Sequence, residues 1–415
     1  MMLLCILGSG VMAQDMNPSD NGITPYSRYG YGTLGDNSFT ASKGMGGIGI
    51  GLREKTQINV QNPASYTAID SLTFLFDFGM NGQMSVFNEP GVQKTDWSAG
   101  LDYLAFQIPL GRKFAASAGL LPFSYVGYSY GNQDQIAIEE DTITVTRKYN
   151  GKGGLNKAYL GFAYQPIKSL SIGFNAGYIW GVTSNDWSMA YSNSFGTTSR
   201  EQYELNAKGF DLNFGVQYTQ VINKDNKVTI GATYNPKMNM WTQLDSIGTL
   251  IETDTATFEH TLNIPQAFGI GVSYVYKEKL IIGADFKREM WGEVKAYNEN
   301  YKVSNSALND RTKIAVGAEY LPGGNYGDSY LKRIRYRIGF NYSDSYISVK
   351  NSRNNEYAGT IGFGFPLLRQ KSMINVGLEY ATIRPTNKNF LSENYLRLNI
   401  GLSFNEMWFL KNRLK

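Results

Sequence analysis

Apolar and polar residues alternate along most of the chain from Ser71 to the C-terminus. One segment shows the alternation at five apolar positions, which are Leu396, Leu398, Ile400, Leu402 and Phe404. The same period of two recurs in residues 170–180, 210–218 and 334–342. Because successive side chains of a β-strand point to opposite faces of a sheet, this period predicts strands with one apolar and one polar face. Helical periodicity is nearly absent, and the sequence therefore predicts an all-β fold.

Fourteen segments carry this pattern. They lie near residues 71–88, 96–109, 112–130, 155–165, 169–186, 201–220, 227–244, 256–276, 279–292, 311–321, 330–348, 356–366, 372–384 and 393–406. An even number of strands allows an antiparallel barrel to close with both ends of the chain on the same side. The segments are longer than the usual strand of about five or six residues. This length favours a membrane barrel over the alternative of a soluble β-sandwich or propeller.

The connections between the segments alternate in length. Short links occur at residues 109–112, 165–169, 221–226, 276–279 and 367–371, and one longer link on the same side occurs at 321–330. Longer and more polar connections lie between them, at residues 131–154, 191–200, 246–255 and 297–310. Outer-membrane barrels have short periplasmic turns and longer external loops. The sequence thus predicts a 14-stranded antiparallel transmembrane barrel over residues 71–415, placed in the outer membrane with both termini in the periplasm.

The composition excludes several other classes of protein. No apolar run approaches the roughly 20 residues that a membrane-spanning helix needs, and the mean hydropathy is −0.31. A single histidine, His260, and a single cysteine, Cys5, leave few of the side chains that catalysis and metal binding use most. The net charge of +4 is dispersed rather than gathered in a basic stripe. We therefore expect no enzymatic activity, no cofactor, no metal site and no nucleic-acid partner.

Residues 1–13 predict a signal peptide. An apolar stretch from Met2 to Leu7 is followed by Val11-Met12-Ala13, a pattern that fits cleavage before Gln14. The basic residues that usually precede the apolar stretch are missing. Lipidation of Cys5 is the less favoured alternative, because Leu4 stands where a small residue is expected.

Residues 14–70 differ from the strands that follow, and we predict that they form an N-terminal extension with a hatch. This segment contains Gly44, Gly46, Gly47 and Gly49, followed by Asn62-Pro63-Ala64 just ahead of the first strand. A glycine-rich stretch and an Asn-Pro-Ala motif before a barrel resemble the FadL family of long-chain fatty-acid channels and its PorV-like branch in Bacteroidetes. The resemblance implies a hatch inside the barrel, with membrane lipid or a hydrophobic ligand such as a fatty acid as a partner. The glycine spacing also matches a dinucleotide-binding loop, but no helical period follows it.

The third predicted strand contains Leu121-Pro122-Phe123. Proline has no backbone N–H, so it interrupts the hydrogen-bond ladder of a strand. The resemblance implies a lateral opening of the barrel at this point. The residues alone equally allow a local bulge without any opening.

Charged residues recur on the polar face of the predicted strands. By alternation, ten of them point into the lumen: Asp211, Asp285, Lys287, Lys313, Glu319, Arg333, Arg335, Arg337, Glu379 and Arg397. Unpaired buried charge is costly, so we expect these groups to pair with one another or with the hatch. We also expect Arg333, Arg335 and Arg337 to donate hydrogen bonds to carbonyl groups of the hatch.

Two functions stay open at this point. The first is a channel for hydrophobic small molecules across the outer membrane, which the interrupted third strand favours. The second is a non-transporting barrel subunit of an outer-membrane secretion or assembly machine, with other outer-membrane proteins as partners. The charged lumen favours this second function.

We predict that the mature protein begins near Gln14 and fractionates with the outer membrane, because the cleavage pattern and the strand pattern both require export. N-terminal sequencing of protein purified from the membrane fraction measures this directly. Soluble cytoplasmic protein that retains Met1 would contradict both the signal peptide and the membrane barrel.

Overall fold

The computed structural model describes residues 24–89, 91–138, 141–192, 199–249, 253–297, 303–304, 308–323, 328–350, 352–367, 372–387 and 390–407. The predicted signal peptide and its cleavage site lie outside these residues. No helix in the described ranges combines the length and the apolar character that crossing a membrane requires.

Fourteen long strands form the body of the fold. They are β1 (Thr73–Glu89), β2 (Val92–Pro109), β3 (Phe114–Ile138), β4 (Asp141–Ile167), β5 (Leu170–Tyr191), β6 (Ser199–Val221), β7 (Asn226–Asn235 and Met238–Thr249), β8 (Thr253–Ile264 and Ala267–Tyr276), β9 (Leu280–Glu289), β10 (Arg311–Tyr320), β11 (Arg335–Val349), β12 (Ser352–Pro366), β13 (Met373–Pro385) and β14 (Ser392–Met407). Two strands, β7 and β8, are each interrupted by two residues.

Each strand pairs in antiparallel register with its neighbours in sequence, and β14 pairs with β1 to close the barrel. Along this closing ladder Ile400 lies opposite Met80 and Ser403 lies opposite Asp77. The predicted 14-stranded antiparallel barrel is therefore confirmed. A closed barrel leaves no sheet edge except where a ladder is broken.

The predicted alternation of faces is present in the strands. In β14, Leu398 and Ile400 are 43 % and 47 % exposed on the outer surface, whereas Asn399 between them is 3 % exposed. Large apolar side chains of the other strands are exposed in the same way, as at Phe210 in β6 and Ile270 in β8. The outer surface thus carries an apolar band, and polar side chains turn inward.

The structure corrects two predicted connections. Residues 131–138 and 141–154, predicted as a loop, belong to β3 and β4, which pair with each other as far as Ile138 opposite Asp141. Residues 246–249 and 253–255 likewise belong to the paired strands β7 and β8. The apolar and polar alternation is weak at the end of β3 because the residues from Asn132 to Gln135 are all polar. Several strands between β3 and β8 thus rise well beyond the short β9 and β10.

The start of β11 also differs from the prediction. Residues Tyr330–Arg333 form a single helical turn, and the strand begins at Arg335. The guanidinium of Arg333 lies 5.5 Å from the centre of the Tyr330 ring. Alternation along a strand therefore does not place Arg333 in the lumen, in contrast to Arg335 and Arg337.

We predict that Ile400→Arg destabilises the barrel much more than Asn81→Arg. Ile400 faces outward, whereas Asn81, opposite Asn399 on the neighbouring strand, faces the interior cavity. An arginine on the lipid face at mid-membrane costs about 2–4 kcal/mol. The difference in unfolding free energy is measured by urea unfolding in lipid vesicles, with heat-modifiable mobility on gels as the readout of the folded fraction. Equal losses would mean that the outer surface does not face lipid.

Candidate functional site

The N-terminal segment, residues 24–70, runs along the inner face of the barrel. Near its start the Tyr26 hydroxyl donates to the carbonyl of Leu391, which immediately precedes β14 at the end with the long connections. Near its end the amide of Gln107 in β2 donates to the Tyr66 carbonyl at 2.9 Å, close to the short turns. The segment therefore traverses the interior from one end to the other. Thr24 lies at the opposite end from Met407, and the location of both termini in the periplasm remains a prediction.

Short elements divide this segment. They are a 3-10 helix at Pro25–Arg28, a strand at Thr33–Leu34, one α-helical turn at Thr40–Lys43 and a 3-10 helix at Pro63–Ala68. The rest of the segment has no regular secondary structure, so its backbone N–H and C=O groups need other hydrogen-bond partners. The inward-facing side chains of the barrel supply many of them.

The predicted hatch glycines lie directly against the wall. Gly46 and Gly47 have φ of 71° and 81°, which favour glycine. A Cβ added to Gly339 in β11 would lie 2.0 Å from the Gly46 nitrogen, and one added to Gly317 in β10 would lie 2.1 Å from the Met45 carbonyl oxygen. Glycines on both the segment and the strands thus allow two backbones to touch.

Asp285 in β9 binds the next turn of the segment. Its carboxylate accepts hydrogen bonds from the backbone N–H groups of Gly49 at 2.5 Å and Ile50 at 2.8 Å. The N–H of Gly51 lies 3.4 Å from the second carboxylate oxygen. Charge-assisted hydrogen bonds of this kind are about twice as strong as neutral ones. Asp285 is therefore a principal anchor of the glycine stretch.

The Asn62-Pro63-Ala64 motif forms the predicted turn. The Asn62 side chain accepts a hydrogen bond from the Ala64 N–H at 3.1 Å and caps the 3-10 helix that Pro63 begins. Its amide donates to the carbonyls of Ile50 at 2.8 Å and Val216 at 3.2 Å. A single asparagine therefore fixes the turn, the glycine stretch and the wall together.

The end of the segment is buried at the short-turn side. Tyr66 is fully buried, and its hydroxyl donates to Asn175 in β5 at 2.9 Å. Burial raises the pKa of Tyr66, so the phenol stays protonated and able to donate. The hydroxyl oxygens of Thr67 and Ser171 lie 2.9 Å apart.

Several inward-facing charged side chains of the barrel form ion pairs with one another. Lys157 pairs with Asp211 at 3.1 Å, and Arg397 pairs with Glu379 at 2.6 Å. Arg337 binds Glu319 at 2.6 Å, and Arg335 binds the same carboxylate.

The prediction that Arg335 and Arg337 donate hydrogen bonds to carbonyl groups of the hatch is wrong. A buried carboxylate attracts a guanidinium more strongly than a neutral carbonyl does, so Arg335 and Arg337 pair with Glu319. Amide side chains bind the carbonyls instead: Asn59 donates to Gly49 at 2.6 Å, and Gln217 donates to Ile50 at 3.1 Å. Arg335 also lies 3.8 Å from Glu54 of the segment. Burial raises the pKa of Glu54 to about 7, against the opposing charge of Arg335.

The inward-facing ion pair between Lys43 and Asp102 was not predicted from the sequence. The ladder between β1 and β2 shifts by one residue between Gly79 and Met80, which leaves Asp102 as a bulged residue. Asp102 and the adjacent Tyr103 are both buried, and Asp102 binds Lys43 of the segment at 2.5 Å. Strict alternation cannot predict two successive inward residues. A bulge redirects a side chain in this way.

The ladder between β2 and β3 is incomplete. It begins at Pro109 opposite Ala115 and ends at Leu104 opposite Leu120, although both strands continue. Beyond this point Leu121 and Pro122 are both buried, which alternation in an intact wall would not produce. The ladder to β4 shifts between Pro122 and Ser124, so Phe123 is bulged. We call the unpaired region between β2 and β3 the seam.

The N-terminal segment binds the β3 side of the seam from inside. Thr33 and Leu34 pair with Tyr125 and Ser124 in antiparallel register. The N–H of Gly35 donates to Phe123 at 2.8 Å, and the N–H of Thr24 donates to Gly127 at 2.9 Å. The residues predicted as a lateral opening therefore lie at a real break in the wall, which this segment covers on one side.

An apolar cap lies at the end of the barrel with the long connections. The connection between β9 and β10 contributes buried apolar residues that pack on the inner faces of β6, β7 and β8: Trp291, Val294, Ala296, Tyr297 and Leu308. Tyr31 of the segment joins them, with its ring 5.7 Å from that of Trp291. The cap and the N-terminal segment are therefore one packed unit.

A cavity of about 350 Å³ lies between the segment and the wall. Charged side chains of both signs contribute to its lining beside uncharged residues, among them Asp36, Lys43, Asp102, Lys157, Asp211, Glu289, Arg311 and Arg397. Most of these charges are already paired with each other. A hydrocarbon in this space would therefore contact several ion pairs.

The single histidine lies away from this cavity. His260 is exposed on β8, and its ring lies 5.9 Å from that of Tyr297. Within the described residues, no group of three or more His, Cys, Asp or Glu side chains is arranged to hold a metal ion.

Barrels of the same fold are known among bacterial transport proteins. The toluene transporter TbuX of Ralstonia pickettii has a TM-score of 0.60 with 13 % identity, covering 89 % of this chain and 98 % of its own. The toluene transporter TodX of Pseudomonas putida has a TM-score of 0.57 with 14 % identity, covering 90 % and 99 %. A FadL homologue of Pseudomonas aeruginosa has a TM-score of 0.58 with 12 % identity, covering 90 % and 99 %.

The fold is therefore a β-barrel of the FadL type. The chain belongs to the BamG family, whose model matches residues 1–415. No curated protein matches the sequence. Assignment to a PorV-like branch remains a prediction.

We predict that Gly339→Ala loosens the N-terminal segment, whereas Gly359→Ala does not. A methyl group at 339 meets the Gly46 nitrogen, and the space around 359 is open to 4 Å. Overpacking of this kind costs about 1–3 kcal/mol. Hydrogen exchange at residues 44–51, with the barrel amides as reference, reports the change. Unaltered exchange in both variants would show that the segment does not pack against β11.

Proposed function

We propose that this protein is an outer-membrane barrel that serves as a non-transporting subunit of a secretion or assembly machine. The observation that carries the proposal is the occlusion of its interior. The N-terminal segment acts as a hatch bonded to strands around the circumference, and the apolar cap closes the end with the long connections. Because the lumen is occluded, the protein would act through its outer surfaces, where another protein can bind.

The chemistry of the cavity supports this reading. A hydrocarbon that crosses the interior would displace water from paired charges such as Lys157 with Asp211 and Lys43 with Asp102. Removing hydration from such groups without replacing it is costly. The strand ends that rise beyond the apolar band between β3 and β8 offer a large external surface for another protein.

A second candidate function rests on the seam. A FadL-like channel would take up a hydrophobic molecule and release it sideways near Leu121-Pro122-Phe123, where the ladder between β2 and β3 is broken. This route avoids the charged cavity only if the segment at Thr33–Gly35 moves away from β3. The toluene-transporting neighbours share the fold, but similarity at 13–14 % identity does not transfer their substrates.

Locking the hatch separates the two functions. We predict that a disulfide between Leu34→Cys and Ser124→Cys leaves the function of the protein intact, because a non-transporting barrel does not need its hatch to move. The two residues lie opposite each other where the segment pairs with β3, and removal of the signal peptide with Cys5 would leave no competing thiol. Each single cysteine variant and the reduced double variant serve as controls.

Two measurements decide the outcome. Purification from native membranes in mild detergent should yield a stoichiometric protein partner with both the oxidised and the reduced variant. Uptake of labelled fatty acid or toluene by cells should not depend on the disulfide. Copurified lipid without a protein partner, together with uptake that is lost on oxidation, would instead establish the channel.

A further inference from the structure

Among the residues that the structure describes, the edge of β2 at the seam has no partner strand. The ladder to β3 stops at Leu104, and β2 continues to Val92. On its other side the same stretch is paired with β1 except at the bulged Asp102, for example at Trp97 opposite Met84. Among the described residues, no backbone hydrogen bond joins residues 92–103 to β3 or to the N-terminal segment. Half of the backbone groups of this stretch therefore point into the seam.

The N-terminal segment does not serve this edge. It binds the opposite strand through Thr24, Thr33, Leu34 and Gly35, all of which contact β3. Near this stretch of β2, the segment contacts side chains that point into the barrel, those of Asp102 and Tyr103. The two sides of the seam thus differ: the N-terminal segment pairs with the backbone of β3, and within the described ranges it does not pair with the backbone of β2.

The free edge lies at the level of the apolar band. Leu101 and Trp97 face outward and are 53 % and 71 % exposed. They lie opposite Met80 and Met84 on β1, which in turn lie opposite Ile400 and Leu396 on β14. A sheet edge at this level faces hydrocarbon if the barrel spans a membrane. Each unsatisfied backbone group in hydrocarbon costs several kcal/mol, and open edges facing lipid do not otherwise occur.

We propose that the edge of β2 between Trp97 and Tyr103 is a docking site for an extended segment of a partner protein, which adds to the barrel wall as a strand. Lipid cannot fill this role, because acyl chains neither donate nor accept hydrogen bonds. Strand addition satisfies the backbone groups and uses alternate side chains for specificity. Since Leu101 and Trp97 flank the edge on the outer side, outward side chains of the added strand would be apolar. The inference rests on the proposed function and names the place where the partner binds.

Photocrosslinking at the seam tests this site. Replacing Trp97 with p-benzoylphenylalanine places a reactive group beside the edge. The matched control replaces Trp180, which also faces outward but lies on β5 between Asn156 of β4 and Lys208 of β6 in complete ladders. Irradiation of intact cells should give one discrete protein adduct from position 97 and none from position 180.

Proline variants show whether the backbone of β2 makes the contact. Neighbouring residues of a strand direct their N–H groups to opposite sides, so of Ala99 and Gly100 one donates to β1 and the other points into the seam. Ala99→Pro and Gly100→Pro are each combined with the crosslinker at position 97. The variant that keeps heat-modifiable mobility has lost the seam-facing N–H, and it should lose the adduct.

Several outcomes would overturn the inference. They are adducts with lipid alone, an adduct within the chain, an adduct between two copies of the chain, equal adducts at positions 97 and 180, or an adduct that persists in the folded proline variant. If both proline variants fail to fold, the comparison of positions 97 and 180 decides. A partner that still copurifies while position 97 gives no adduct removes only this docking site and leaves the proposed function standing.

Discussion

The backbone of the N-terminal segment has to find hydrogen-bond partners inside a wall whose own main chain is already used. In a closed barrel the N–H and C=O groups of each strand bind the neighbouring strands, so away from the seam the segment depends largely on inward side chains of the wall. Asp285 accepts from the N–H groups of the glycine stretch, and Gln217 donates to its carbonyls, as does Asn59 of the segment itself. An unmet backbone group buried here would cost about 1–3 kcal/mol. The polar inner face follows from this requirement, as does the charged and amide-rich character of the lumen.

Sequence reasoning succeeded where the two faces of a strand differ in polarity. The strand count and the phase of each strand could be predicted because one face is apolar and the other lines a polar interior, as Ile400 and Asn399 show. It failed where that contrast disappears. At the end of β3 the residues from Asn132 to Gln135 are all polar, so this part of the hairpin with β4 was assigned to a loop.

The contacts of the interior were harder to predict than its charges. Alternation identified Asp211, Asp285 and Arg397 as inward residues, but it could not assign their partners, which depend on neighbours distant in sequence. Asp102 was missed because a bulge displaces it by one position. The arginines near position 335 were expected to bind the hatch, and the competing carboxylate of Glu319 attracts them instead. Local periodicity determines which way a side chain points. Its partner depends on which groups the folded barrel brings close enough to compete for it.

The position of the segment inside the wall constrains the order of folding. The segment precedes all fourteen strands in the chain, and the last pairing to form in sequence order, β14 with β1, is the one that closes the ring. In the closed ring Gly46 lies tightly against β11 and Asn62 is bonded to β6. We therefore expect the strands to close around a segment that is already in place, and its contacts with them to help set the register of the wall.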